Sequence, residues 1–222
     1  MRVLSHRGYH FGAAVPENTS AAFERAIEFG VDGIETDIRL SADGEPILFH
    51  DRLAPDGRPI ETLTRKELEE TVGYQVPALA EVLTRWPDVF WNLEIKCVAA
   101  VDATTNLLKR HPRRDSVLVT SFRHDIVARC AQELDVACGP IAAHAPLDVT
   151  MMLEPWQRYP HVRTIVWDFN VADREIVSHA QKRGFDVLVY GTITSPEHRL
   201  CREWRLAGLI TDYPDRAQGI ER

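Results

Sequence analysis

Charged residues that alternate with apolar ones in a short β-rich run are the first chemical signal in this chain. In Gly33–Arg39 the side chains of Ile34, Thr36 and Ile38 fall on one face of a strand, and Glu35, Asp37 and Arg39 fall on the other. Trp91–Lys96 repeats the split, with Trp91, Leu93 and Ile95 against Asn92, Glu94 and Lys96. A row of charges turned towards covering helices would be desolvated without partners, so both rows are expected inside a barrel, near its mouth. Glu35, Asp37 and Glu94 together make a hard, oxygen-rich pocket suited to Mg²⁺ or Ca²⁺ and not to zinc. The structural alternative is a buried ion-pair network that only fixes strand register. Burying ions costs several kcal/mol each before pairing, which makes such networks uncommon without a function.

Two histidines stand at strand ends beside this cluster, His6 followed by Arg7 and His50 followed by Asp51. Phosphodiester hydrolysis needs one group to take a proton from the nucleophile and another to protonate the leaving oxygen. Imidazole titrates near neutrality and suits both tasks. Arg7 and Lys96 offer fixed positive charge for phosphate oxygens. Phe122, Trp167 and Tyr190 also lie at strand ends, where they could line a substrate pocket or simply pack. Glu17 and Asn18 are expected to shape the first loop and cap its helix. His10, His111, His124, His144, His161, His179 and His198 show no convergent pattern and read as surface or structural.

The elements that must position these groups alternate along the chain. Strand patterns occur at Arg2–His6, Gly33–Arg39, Val89–Lys96, Ser116–Ser121, Ala137–Ala142, Arg163–Asp168, Asp186–Gly191 and Gly208–Asp212. Helical patterns lie between most of them, at Thr19–Phe29, Pro77–Trp86, Val98–Arg110, Arg123–Leu134, Leu147–Tyr159, Ala172–Arg183 and Ser195–Leu206. This alternation predicts a single-domain α/β fold, a parallel (β/α)8 TIM barrel spanning residues 1–222. A doubly wound sheet would carry a glycine-rich first turn, and none is present. Asp43-Gly44, between Gly33–Arg39 and Pro46–His50, is a hairpin signal. As a two-residue turn it places His50 opposite Asp37 and makes residues 51–75 a short insertion at the barrel rim.

A formal net charge of -7 argues against a non-specific nucleic-acid binder. The four cysteines, with no CxxC pair, read as free thiols in a reducing compartment. No apolar run approaches a membrane span and no leader-like segment is visible, so a cytoplasmic protein acting on a small molecule is expected.

The ordered set of motifs resembles the glycerophosphodiester phosphodiesterase family. It begins with His6-Arg7-Gly8, Pro16-Glu17-Asn18-Thr19, Ala22-Phe23 and Ala26, and continues through Glu35-Thr36-Asp37, Asp43-Gly44 and His50-Asp51. Leu63-Thr64, Glu67-Leu68, the run Val76–Leu83, Glu94-Ile95-Lys96, Ser121-Phe122 and Leu209–Pro214 follow in order. The resemblance covers nearly the whole chain. It implies divalent-metal hydrolysis of a glycerophosphodiester to sn-glycerol 3-phosphate and an alcohol. It places the metal on Glu35, Asp37 and Glu94, acid–base work on His6 and His50, and phosphate binding on Arg7 and Lys96. Many family members have a longer insertion after His-Asp than Arg52–Gln75, and a Trp-Thr-Val-Asn run where this chain has Tyr190-Gly191-Thr192-Ile193-Thr194. Both departures touch the rim that faces the leaving group. Two other readings are a phospholipase- or sphingomyelinase-type barrel that releases a cyclic phosphate, and a barrel that only binds a phosphorylated ligand.

Overall fold

The computed structural model describes residues 1–12 and 14–219. Eight parallel strands close into a barrel: β1 (Arg2–His6), β2 (Gly33–Leu40), β4 (Trp91–Ile95), β5 (Val117–Ser121), β6 (Ala137–Ala142), β7 (Thr164–Asp168), β8 (Asp186–Tyr190) and β9 (Gly208–Thr211). Pairing of β1 with both β2 and β9 completes the ring. A short ninth strand, β3 (Pro46–Leu48), runs antiparallel on β2. Helices α1 (Ser20–Phe29), α2 (Arg65–Val72), α3 (Leu79–Arg85), α4 (Val101–Leu108), α5 (His124–Glu133), α6 (Val149–Leu153), α7 (Arg174–Lys182), α8 (Ser195–Glu203) and α9 (Pro214–Ala217) lie on the connections. The (β/α)8 TIM barrel expected from the alternation is the observed architecture.

Strand alternation divides the apolar residues into two packed layers. Ile34, Ile38, Trp91, Leu93 and Ile95 join Phe23, Ala26, Leu79 and Val82 in the main core between strands and helices. Leu4, Leu118, Ile141, Val166, Leu188 and Ile210 form a separate apolar plug inside the barrel. Each fully buried side chain of this size contributes roughly 1.5–3 kcal/mol. The plug fills the interior, and polar groups take over towards the C-terminal ends of the strands.

Four expectations are corrected. The hairpin ladder pairs Ile38 with Leu48, Arg39 with Ile47 and Leu40 with Pro46. The turn therefore spans three residues, Ala42-Asp43-Gly44, with Gly44 at φ 78° and its N–H donating to the Ser41 carbonyl. This register puts Phe49 beside Asp37, with the Phe49 N–H donating to the Asp37 carbonyl at 3.0 Å, and not His50. The helix expected over Leu147–Tyr159 is α6 followed by a 3-10 turn at Glu154–Arg158; Pro155 has no N–H to continue the α ladder. Trp167 is wholly buried among the helix-facing residues, because Val166 is the β7 residue that points into the barrel. Asn18 does not cap α1. The cap is Thr19, whose Oγ1 accepts from the Ala22 N–H at 3.3 Å.

Residues 51–75 contain α2, closed by a Thr64–Glu67 capping box. Ile60, Leu63 and Leu68 of this segment pack with Ile47, Phe49, Ala54 and Val76 in a satellite cluster at the rim. All four cysteines are free thiols. No described helix is long and apolar enough to cross a membrane.

Candidate active site at the barrel mouth

The chain turns sharply after His6. Arg7 has φ 56° and Gly8 φ 83°, and a Cβ on Gly8 would stand 2.7 Å from the Ala22 Cβ, so only glycine fits. The turn brings the Arg7 N–H to the Glu35 carbonyl at 2.8 Å and folds the guanidinium back over the strand ends. There its Nε lies 3.1 Å from Asp37 Oδ2, and its Nη1 donates to both Glu17 oxygens at 2.9 and 3.0 Å. Asn18 is also in the left-handed region, at φ 56°. It is held there by its N–H to the Arg7 carbonyl at 2.9 Å, its Nδ2 to Asp37 Oδ2 at 2.9 Å, and Thr36 Oγ1 donating to its Oδ1 at 2.6 Å. Glu17 and Asn18 thus fix Arg7 and Asp37.

Glu35, Asp37 and Glu94 converge as the alternation predicts, each with a carboxylate oxygen within 4.8 Å of the others. All three are buried. Lys96 Nζ stands 2.7 Å from Glu94 Oε1 and 3.2 Å from Asp37 Oδ1. The latter oxygen is buried without a hydrogen bond. Burial, then repulsion from Asp37 and Glu94, pushes the Glu35 carboxyl well above its ordinary range. Burial and Asp37 raise Glu94 too, with Lys96 opposing. Burial would also raise Asp37, but Lys96, Arg7 and the Asn18 hydrogen bond outweigh it and hold the group low. Three buried carboxylates with oxygens within 4.8 Å of one another fit a hard divalent cation such as Mg²⁺ or Ca²⁺.

The two histidines reach this cluster differently. His6 ends β1 and places Nε2 3.7 Å from Glu35 Oε2. Its Nδ1 meets Asp212 Oδ1 at 2.8 Å, and His10 Nε2 meets the same oxygen at 3.3 Å. Burial pushes the Asp212 carboxyl up, but hydrogen bonds from His10 and His6 more than offset it and hold the group far below its ordinary range. An ionised carboxylate only accepts, so His6 donates from Nδ1 and presents Nε2 to the cavity when neutral. His50 follows β3, where the chain leaves the ladder. Its carbonyl accepts from Arg39 Nε at 2.8 Å and its Nδ1 meets Asp51 Oδ1 at 2.8 Å. His50 therefore reaches the site through this departure and not through the expected cross-strand register.

His6, Arg7, Glu35, His50, Glu94 and Lys96 line one cavity of about 210 Å³. Its apolar wall is Phe122, Tyr190, Ile141, Val166 and Ile210. Phe122 and Tyr190 meet edge to face with ring centroids 5.9 Å apart, and Lys96 Nζ lies 5.8 Å from the Phe122 centroid. Of the three aromatic candidates, Phe122 and Tyr190 reach the cavity and Trp167 does not. Asp212 and His10 are the residues the sequence reading passed over as site members. His198, read as structural, is buried against Thr211, with burial lowering its pKa to about 4.

The glycerophosphoryl diester phosphodiesterase family model matches residues 6–216. A glycerophosphodiester phosphodiesterase of Caldanaerobacter subterraneus subsp. tengcongensis is 27% identical over 241 residues, covering 96% of this chain and 94% of the relative. One from Bacillus altitudinis is 29% identical over 250 residues, covering 99% of this chain and 97% of the relative. The structure of an Oleispira antarctica phosphodiesterase, solved in complex with the product sn-glycerol-3-phosphate, aligns with a TM-score of 0.85 at 25% identity, covering 99% of this chain and 96% of the other. With the family match running through the barrel from His6 to Arg216, the chain belongs to the glycerophosphoryl diester phosphodiesterase family, whose members are phosphoric diester hydrolases.

Proposed function

We propose that this chain hydrolyses a glycerophosphodiester to sn-glycerol 3-phosphate and an alcohol, working as one barrel domain over residues 1–222 in the cytoplasm. The observation that carries the reading is one cavity lined by Glu35 and Glu94 of the acidic triad, by two histidines each held by its own aspartate, and by two cations. The product complex of the Oleispira antarctica relative supports the same product class.

Glu35, Asp37 and Glu94 would hold the divalent cation, Mg²⁺ or Ca²⁺. When bound, it supplies Lewis-acid polarisation of a phosphoryl oxygen. Arg7 and Lys96 bind the remaining phosphoryl oxygens, with Arg7 aimed by Glu17 and Lys96 held at the cavity wall. His6, its Nδ1–H fixed on Asp212, takes the proton of the attacking water or neighbouring glycerol hydroxyl at Nε2. His50, held by Asp51, gives a proton to the leaving alkoxide. Phe122 and Tyr190 exclude bulk water from one side of the phosphate.

The test is a ³¹P NMR product assay on a panel of glycerophosphodiesters. Accumulation of glycerol phosphate as a free monoester is the expected result. A stable cyclic phosphate would move the protein to phosphotransfer, and no turnover of any substrate would reject the reading.

A further inference from the structure

Strand β2 presents Glu35, Asp37 and Arg39 to one face, and the chemistry above uses only the first two. Arg39 is half-buried, and among the described residues its guanidinium has no carboxylate partner; its Nε donates to the His50 carbonyl at 2.8 Å. With Arg52, Leu53, Ile60, Glu61 and Cys97 it lines a second cavity at the rim, of about 260 Å³. The Arg39–His50 hydrogen bond ties this cavity to the backbone of the residue whose imidazole faces the first. Asp51, the next residue in the chain, is engaged by the His50 ring.

The position has a consequence for the substrate. His50 serves the oxygen that leaves with the alcohol, so the remainder of that alcohol extends past His50 towards the rim. The cations lining that cavity are Arg39 and Arg52 and the carboxylate lining it is Glu61; Asp37, Asp51 and Glu94 also act on Arg39, from outside the lining. A guanidinium presents paired N–H donors that match a carboxylate or a phosphate, and Arg39 spends only Nε on the backbone. We infer that Arg39 and Arg52 form a subsite for an anionic group, carboxylate or phosphate, on the leaving alcohol. The inference rests on the hydrolase reading above. Counted over the lining residues, Glu61 leaves one net positive charge, and it would receive an ammonium on the same headgroup.

Matched substrates test it with the full-length enzyme. Glycerophosphoserine and glycerophosphoethanolamine differ by one carboxylate; glycerophosphoglycerol with and without a terminal phosphate differs by one phosphate. The wild-type enzyme should favour the anionic member in kcat/KM by about tenfold, the size of one partly screened charge-assisted hydrogen bond. Preference in the first pair alone assigns the subsite to carboxylates, and in the second pair alone to phosphates. Arg52→Gln, at an exposed side chain, and Arg39→Gln should each bring the ratio towards one, and Arg39→Lys should retain part of it. Because Arg39 also holds the His50 backbone, the ratio and not the absolute rate is the readout. Equal turnover of both members of both pairs, or a ratio unchanged in both glutamine variants, overturns the subsite and leaves the hydrolase reading standing. No turnover of any of the four substrates overturns both.

Discussion

Replacing Asp212 by Asn separates the orientation of His6 from the charge that supports it. The amide keeps an oxygen where the carboxylate accepts His6 Nδ1 at 2.8 Å and His10 Nε2 at 3.3 Å, so the ring stays near its place. What disappears is the full negative charge beside an imidazole that becomes cationic when it takes the proton. A hydrogen bond to a charged group contributes about 1.5–3 kcal/mol, and the partial exposure of the Asp212 side chain argues for the lower half of that range. At about 1.4 kcal/mol per decade, kcat should fall roughly 10- to 40-fold. KM should change little, because Asp212 lies behind His6. Acid stability gives a second readout. The Asp212 carboxyl is held below its unfolded value of 3.8, so it stabilises the fold at neutral pH, and that contribution is lost as pH falls below about 4 towards the folded pKa. Asp212→Asn removes this part of the acid dependence. Steady-state kinetics and urea titrations from pH 7 to 3 measure both. A kcat within twofold of wild type would refute the positioning role.

Three further outcomes follow from the site. Exhaustive chelation should abolish activity and Mg²⁺ or Ca²⁺ restore it, while Glu94→Gln stays folded by circular dichroism and inactive; full activity in the chelated protein would sink the cation assignment. His50→Ala should lose about 10²–10⁴-fold on an alkyl diester and far less on a nitrophenyl diester, whose leaving group needs little protonation; equal losses would remove the acid role. Glu35→Gln should raise the stability of the metal-free protein by on the order of 1 kcal/mol or more while abolishing turnover, with the gain growing as pH rises from about 4.5 because a group with a raised folded pKa costs stability once ionised; thermal melts at pH 5 and 8 check it.

Much of the site was legible because it depends on the two-residue period of a strand. Ile34, Thr36 and Ile38 against Glu35 and Asp37 can be sorted from seven residues of sequence, and the same rule applied to β7 would have turned Trp167 outward once Val166 was placed inside. The hairpin register needed more than period, since Asp-Gly also serves a three-residue turn and only Ser41 closing on Glu45 distinguishes the two. Asp212 was legible only through closure. It stands 206 residues from His6, but an eight-stranded parallel ring makes the first and last strands neighbours, and Ser5 pairs with Thr211. The next residue along the chain from each is then His6 and Asp212, so a ring assumed from the strand count carries that contact with it. Asn18 had no comparable signal, because its left-handed backbone and its bond to Asp37 depend on the loop path taken after Gly8.

The energetics of the acidic triad show where its charge deficit falls. Like charges within 4.8 Å of one another repel by roughly 3 kcal/mol or more per pair at an effective dielectric of about 20. The apolar plug of Leu4, Leu118, Ile141, Val166, Leu188 and Ile210 keeps that dielectric low from inside the barrel. Lys96 answers Glu94 and Asp37, and Arg7 answers Asp37 while engaged with Glu17. Among the described residues, the close partners of the Glu35 carboxyl are the Arg7 backbone N–H at 3.3 Å and the His6 ring at 3.7 Å, with the Arg7 and Lys96 charges acting from farther away. Burial and its neighbours accordingly raise Glu35, while Asp37, with two cations and Asn18, goes the other way. A divalent cation among the three would relieve Glu35 most, because the other two already have lysine or arginine. Stability and activity should therefore part most widely at Glu35, the residue whose charge the fold alone compensates least.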